Sequence, residues 1–273
     1  MRWQARTDLR YGRSHRGSLG GRLRLLAGLC CFAFACAAAS FTTAAGIAFV
    51  ARQRRQKFAR TVISRFFRSY FRAMELMGCL RLDLGALDTL RGADPMVIAP
   101  NHPSMIDAGL VLSRLPDLAC IMKGEILDSV LFGTGARAAG YIASQPPRTM
   151  LRAAIDCLHR GSHVLLFPEG TRTQTPPVNA LQRTVGLIAR RAQVPVQTVF
   201  IESNTGFLGK GWPLSQLPVM PMVYRVRLGR RFDPPADADA FAGQLQEYFR
   251  TELAGPSFAG APSPANSHGP ATQ

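Results

Sequence analysis

Acidic residues are nearly absent from the first 72 positions, where Asp8 stands alone against 15 lysines and arginines. The rest of the chain carries 18 basic and 16 acidic side chains, so +14 of the net +16 belongs to that N-terminal stretch. A nucleic-acid-binding core, which carries its own basic face, is thereby disfavoured. Also missing are a G-x-S-x-G elbow, a P-loop and a G-x-G-x-x-G turn. Acyl-enzyme hydrolase chemistry therefore lacks its nucleophile motif, and nucleotide chemistry lacks its phosphate cradle. The six cysteines, at 30, 31, 36, 79, 120 and 157, show no CxxC or metal-ligand spacing. That argues against a disulfide framework or a zinc site and suits a reducing compartment.

What is present begins with an uncharged run of 27 residues, Leu25 to Ala51. At ~1.5 Å per residue such a helix exceeds a ~30 Å hydrocarbon core. A signal peptide is the alternative, but its apolar region is only about 7–15 residues long. Residues 25–51 are thus expected to be a transmembrane or membrane-embedded anchor behind a basic arm, residues 1–24. Charge does not orient it, because Arg22 and Arg24 face Arg52, Arg54, Arg55 and Lys57 across the run. Residues 52–80 are expected to form a basic amphipathic helix. On a helical wheel Arg60, Arg65, Arg68 and Arg72 fall within an arc of about 140°, opposite Phe58, Val62, Ile63, Phe66, Tyr70, Met74 and Met77. Two readings stay open: a helix packed on the core with a solvated arginine face, or one lying in the headgroup layer with its arginines on anionic lipid. Its position directly after the anchor favours the second.

Beyond residue 80 the pattern turns α/β. Apolar runs at Met96–Ala99, Leu118–Met122, Val164–Phe167, Val196–Ile201 and Val223–Leu228 predict strands. Helical periods fit Met105–Leu115, Thr149–Arg160, Ala180–Gln193 and Asp237–Leu253. The expected fold is a mixed sheet flanked by helices over residues 81–254. Residues 255–273 are too poor in large apolar side chains to fold and are expected to be a disordered tail.

Two short stretches follow apolar runs: NHPSMID at Asn101 to Asp107, and FPEGTRT at Phe167 to Thr173. Pro103 keeps His102 out of helical geometry and at a strand-to-helix corner. Ser104 is a natural N-cap, and Asp107 completes an S-x-x-D capping box. Asp107 has a second reading as the carboxylate that holds one His102 tautomer and stabilises its imidazolium, with the helix N-terminus helping to keep the free imidazole neutral. In the other stretch Gly170 can take positive φ. Arg172 offers a planar fork for phosphate, and Glu169 can bind a hydroxyl or orient that fork. The plainer alternative is a loop ion pair between Glu169 and Arg172. His159 ends a helix and His163 opens a strand, and neither has a carboxylate suitably spaced. Lys123 reads as a surface or helix-start lysine, with donor or phosphate binding as the alternative.

Together, NHPSMID and FPEGTRT resemble the paired signature blocks of the glycerolipid acyltransferases, the lysophosphatidate (1-acylglycerol-3-phosphate) acyltransferase family. The resemblance runs over about residues 90–230 and includes the IMKGEIL block around Lys123, GYIAS at Gly140 to Ser144, and VPVQTVFI at Val194 to Ile201. It implies His102 as general base with Asp107 as its partner. Glu169, Gly170, Thr171 and Arg172 would bind the acceptor, with Asn101, Lys123 and Arg183 in the same substrate-binding set. Acyl-CoA or acyl-carrier protein would be the donor co-substrate, with no cofactor, no metal and no nucleic acid. Membrane lipid and a lysophospholipid acceptor are the implied partners. The chain departs from the family pattern in two places. Ser144 and Gln145 lead to Pro146-Pro147 before Arg148, where many members have a basic residue sooner. The usual basic-glycine pair after FPEGTR is here Arg183-Thr184. Both departures fall where the family handles phosphate, so an acyltransferase for another lipid acceptor, or a lipid-binding scaffold on the same fold, is the alternative. Because activated thioesters are cytosolic, the expected location is the inner (cytoplasmic) membrane with the catalytic domain in the cytoplasm.

Overall fold

The computed structural model describes residues 19–129, 132–213 and 216–254. Most of the expected basic arm and the whole C-terminal tail lie outside these residues. Seven strands form one sheet: β1 (Leu80–Asp83), β2 (Val97–Pro100), β3 (Leu118–Met122), β4 (Ile142–Ala143), β5 (His163–Leu165), β6 (Val196–Ser203) and β7 (Met222–Phe232). Their spatial order is β1-β7-β6-β2-β5-β3-β4, parallel throughout except for the antiparallel β6–β7 pair. The sheet is therefore mixed, as expected. The strands β1 and β4 were not legible, being only four and two residues long.

The α-helices are α1 (Leu19–Gly46), α2 (Arg55–Leu76), α3 (Asp107–Arg114), α4 (Gly124–Leu127), α5 (Gly133–Ala138), α6 (Pro147–His159), α7 (Thr184–Ala192) and α8 (Ala238–Ala254). Strand residues alternate between two buried layers. Met96 and Ile98 join α2, α3 and α5 on one face, whereas Val97 and Ala99 join α6, α7 and α8 on the other. Because both faces are covered, the central strands read as continuous apolar runs rather than as alternating ones.

The two N-terminal helices form an antiparallel pair. A Cβ on Gly28 would meet Met74, and one on Gly46 would meet Phe58, so these glycines permit close approach at both ends. The buried positions of α1 are Gly28, Cys36, Ala39 and Thr43, all small. Its large residues, among them Leu23, Leu26, Leu29, Phe34 and Phe41, are exposed. This inverts the arrangement of a water-facing helix. By length and composition alone, residues 19–49 are long and apolar enough to cross a membrane.

On α2 the expected exposed arginine arc, turned to water or to lipid headgroups, is broken at its first member. Arg60 is only 3% exposed. Its Nε donates to Ala139 O at 2.7 Å, and Nη1 pairs with Asp117 Oδ1 at 3.3 Å. Lys57 and Ser162 share the same carboxylate at 3.1 and 2.9 Å. Burial would raise the Asp117 carboxyl, but Ser162, Lys57 and Arg60 together hold it below its ordinary value. Arg68 donates to Ser113 O, while Arg65 and Arg72 are exposed as expected. Helical phase locates a face but not its neighbour, and here the face turns partly onto the β3 and β5 connections.

Candidate active site

In a parallel sheet the crevice beyond the carboxyl ends of the strands is where loops meet. Strand β2 lies between β6 and β5, and it delivers residues 101–107 to that edge. Asn101 continues the sheet: its Nδ2 donates to Ile201 O at 3.0 Å and its Oδ1 accepts from Ile201 N–H at 2.7 Å. Its buried amide is thus occupied by β6 backbone, whereas the sequence expectation gave it to substrate. Asn101 sets where the next residue begins.

That residue, His102, is gripped through its own backbone. Its N–H donates to Glu169 Oε1 at 2.9 Å, and its carbonyl accepts from Thr173 N–H at 2.7 Å. The two sequence blocks are therefore bonded to each other. The imidazole Nδ1 lies 2.9 Å from Asp107 Oδ2, and the ring stacks on Phe167 at 3.8 Å between centroids and 18° between planes. The His102 side chain is 16% exposed and that of Asp107 0%. Among the described residues no protein group is hydrogen-bonded to Nε2, the nitrogen left for a ligand.

One carboxylate oxygen of Asp107 makes two contacts at once. Its Oδ2 accepts from Ser104 N–H at 2.7 Å, the backbone contact a capping-box carboxylate would make, as well as facing the imidazole. The reciprocal half is missing, because Ser104 Oγ donates to Phe207 O at 2.8 Å. Helix α3 accordingly starts at Asp107, two residues later than expected. Burial pushes the Asp107 carboxyl above the ordinary carboxylate range, opposed by His102 and the Ser104 N–H. Its Oδ1 is buried without a hydrogen-bond partner. This geometry fits an anion that gains most when the imidazole acquires a proton.

Glu169 forms no ion pair with Arg172. Its Oε1 also accepts from Thr173 Oγ1 at 2.7 Å, and its Oε2 from Asn179 N–H at 2.9 Å. Three donors thus hold it as the latch of the 167–179 loop, and burial raises its carboxyl above the ordinary value against their pull. These bonds join the loop to the His102 backbone, where the sequence expectation had Glu169 bind acceptor. Gly170 takes φ +67° beneath the Gln182 side chain, a conformation strained for other residues. Thr171 is half-buried beside it. Arg172 Nη1 donates to Leu208 O at 2.8 Å and Gly209 O at 3.2 Å. Its Nε and Nη2 make no hydrogen bond among the described residues, so one edge of the fork is tied and the other is free.

Two expected members stand further off. Lys123 is exposed at the end of β3, on the same sheet edge but with β5 between it and β2. Arg183 precedes α7, and its Nη1 binds Asp239 at 3.0 and 3.1 Å, so this arm is engaged by a carboxylate. His163 is buried at the start of β5 and His159 is exposed at the end of α6, both at the opposite edge of the sheet. Sequence reasoning missed Phe167 as the floor under the imidazole. It also missed the 204–212 loop, whose carbonyls orient Ser104 and Arg172. The signal was present in three closely spaced glycines, Gly206, Gly209 and Gly211, directly after β6.

The chain is similar in sequence and fold to known proteins. Residues 81–202 match the family model described as Acyltransferase. Over 138 residues the chain is 31% identical to 1-acyl-sn-glycerol-3-phosphate acyltransferase alpha of Mus musculus, covering 48% of each chain. Over 128 residues it is 32% identical to the lyso-ornithine lipid O-acyltransferase of Pseudomonas aeruginosa, covering 45% of this chain and 48% of that one. The chain thus spans about half the length of these relatives. In fold it is similar to the 1-acyl-sn-glycerophosphate acyltransferase PlsC of Thermotoga maritima. The TM-score is 0.66 at 18% identity, covering 86% of this chain and 96% of that one.

Proposed function

We propose, from the match of residues 81–202 to the acyltransferase family model, that the protein transfers an acyl chain from a thioester donor to the hydroxyl of a lysophospholipid-like acceptor. The observation that carries this reading is the His102–Asp107 pair, with Nδ1 held by the buried carboxylate and Nε2 left free. In the proposed reaction Nε2 removes the acceptor hydroxyl proton as the oxygen attacks the thioester carbonyl. The new C–O bond forms, the C–S bond breaks, and the imidazolium returns its proton to the departing thiolate. Asp107 stabilises the imidazolium in between. No acyl-enzyme is required, because the acceptor oxygen is itself the nucleophile. The free edge of Arg172 is suited to an anionic headgroup, and its tied edge fixes its direction.

The outward large residues and inward small residues of α1 favour lipid around it, where helix contacts rely on close packing of small side chains. Since α1 lies along α2 rather than projecting alone, a membrane-embedded anchor fits better than an isolated span. An acyl-CoA or acyl-carrier protein donor places the catalytic domain on the cytoplasmic side of the inner membrane. A second reading of the acceptor rests on the capture of Arg183 by Asp239. With that arginine's charge offset by Asp239, an acceptor with a less anionic headgroup becomes a candidate, and one relative is named a lyso-ornithine lipid O-acyltransferase. The test is acyl transfer from labelled acyl-CoA and acyl-carrier protein, in membranes, to a panel of lysolipids differing in headgroup. His102→Ala should abolish turnover on every acceptor, and retention of most activity would sink the assignment.

A further inference from the structure

A second open cavity lies away from His102. It is a trough of about 590 Å³ between α6 and α7. Met150, Leu151, Ile155 and Leu187 give it apolar surface, and Arg148, Arg152, Arg183 and Arg191 line it as well. Arg148 and Arg152 are four residues apart on α6 and so share one face. Arg183 and Arg191 are separated by ~12 Å along α7. Arg183 is paired with Asp239, whereas Arg148, Arg152 and Arg191 are exposed and make no hydrogen bond or ion pair among the described residues. The cationic groups are spread along both walls, and Asp156 sits among them. A compact cluster of phosphates would suit a tighter, purely basic pocket. An extended apolar strip between two rows of arginines suits an amphipathic helix with acidic flanks.

Topology gives the trough a direction. Strands β2, β3 and β5 are parallel, and α6 and α7 run back against them, so the N-termini of both helices share the edge that carries His102. The Arg183 end is joined to the FPEGTR loop, since Gln182 N–H donates to Pro168 O at 2.8 Å. The trough also lies on the sheet face opposite α1 and α2. If α1 is in lipid, this face looks toward water.

We infer that the α6–α7 trough docks an acidic amphipathic helix of a soluble protein that carries the acyl thioester, aligning its prosthetic arm with the active-site edge. This rests on the acyl-transfer reading above and commits the donor to its carrier-protein form. Surface arginines steer such an acidic partner and set its register more than they set the chemistry.

The test uses the full chain in membranes with acyl-carrier protein and acyl-CoA as parallel donors, comparing wild type with Arg148→Glu/Arg152→Glu/Arg191→Glu. These side chains have no partner to lose, so folding should be spared, and an unchanged melting temperature checks that. The apparent KM for acyl-carrier protein should rise on the order of tenfold or more, mainly through slower association, and wild type at high salt should lose the same advantage. The KM for acceptor and for acyl-CoA should stay within about twofold, as expected for surface charges outside the site. An equal rise for both donors would assign the trough to their shared phosphopantetheine arm and overturn helix docking, as would no change for either. Fluorescence anisotropy of labelled carrier protein gives a readout without turnover. If wild type transfers from neither donor, the proposed function fails. Binding that the charge reversal abolishes would still support docking, and its absence would overturn it.

Discussion

Replacing Asp107 by Asn separates the two roles that one carboxylate oxygen performs. Oδ2 faces the His102 Nδ1 at 2.9 Å and the Ser104 N–H at 2.7 Å. Two unit charges at the first distance attract by roughly 6 kcal/mol at an effective dielectric of ~20. Asn leaves a dipole in the same place, so only part of that is lost, but ~3 kcal/mol alone is about a hundredfold. The expected loss in kcat/KM is two to four orders of magnitude. Stability responds differently. The amide forfeits about 1 kcal/mol of hydrogen bonding, offset because an ionised carboxyl is no longer buried. The melting temperature at neutral pH should therefore move by no more than ~2–4 °C. The pH dependence has a definite sign. Burial raises the folded-state pKa of Asp107, so its contribution to stability is greatest below the ordinary carboxyl range and is lost as pH rises through the folded value. The difference in melting temperature, wild type minus variant, should therefore shift toward the variant as pH rises above about 4. Initial rates with labelled donor, together with melts across pH, decide the matter. A variant that keeps more than about a tenth of wild-type kcat while melting several degrees lower would show that Asp107 is only a cap.

Arg172→Lys keeps the charge but loses both the tie to Leu208 and Gly209 and the free planar edge. The acceptor KM should rise ~10–100-fold, from charge-assisted bonds of ~1.5–3 kcal/mol, with the donor KM nearly unchanged; equal effects on both would refute acceptor binding. Glu169→Gln sets an amide against the donors that now share its carboxylate and should cost ~1–3 kcal/mol of stability while loosening His102. Because burial raises the Glu169 pKa, wild type should hold its largest margin over this variant in acid and lose part of it as pH rises; an unchanging margin would contradict the buried latch. Arg60→Met leaves Ala139 O unpaired and strips one partner from Asp117, an expected loss of ~3–5 kcal/mol in thermal melts. Arg65→Gln and Arg72→Gln should stay within ~0.5 kcal/mol, and similar effects at all three positions would restore the uniform solvated face.

The one-dimensional pattern determined the fold class, because strands buried on both faces appear as continuous apolar runs and helices as 3.6-residue periods. Five of the seven strands and the four long domain helices were legible on that basis. It also picked out His102, Asp107 and the FPEGTR loop, whose proline and glycine fix local backbone conformation. The sequence could not say what each polar group faces. Asn101 reads as a ligand until β6 comes within reach of its amide, and Arg60 as a surface cation until residue 117 arrives from another connection. Glu169 and Arg172 look like partners at three residues' spacing. Folding separates them by offering Glu169 two backbone donors and a hydroxyl, and Arg172 two carbonyls of a loop 36 residues away. Hydrogen bonds and ion pairs are satisfied by whichever groups the topology brings within about 3 Å. Those neighbours come from distant parts of the chain, so residue type could be read in advance, but its role was decided only by tertiary contact.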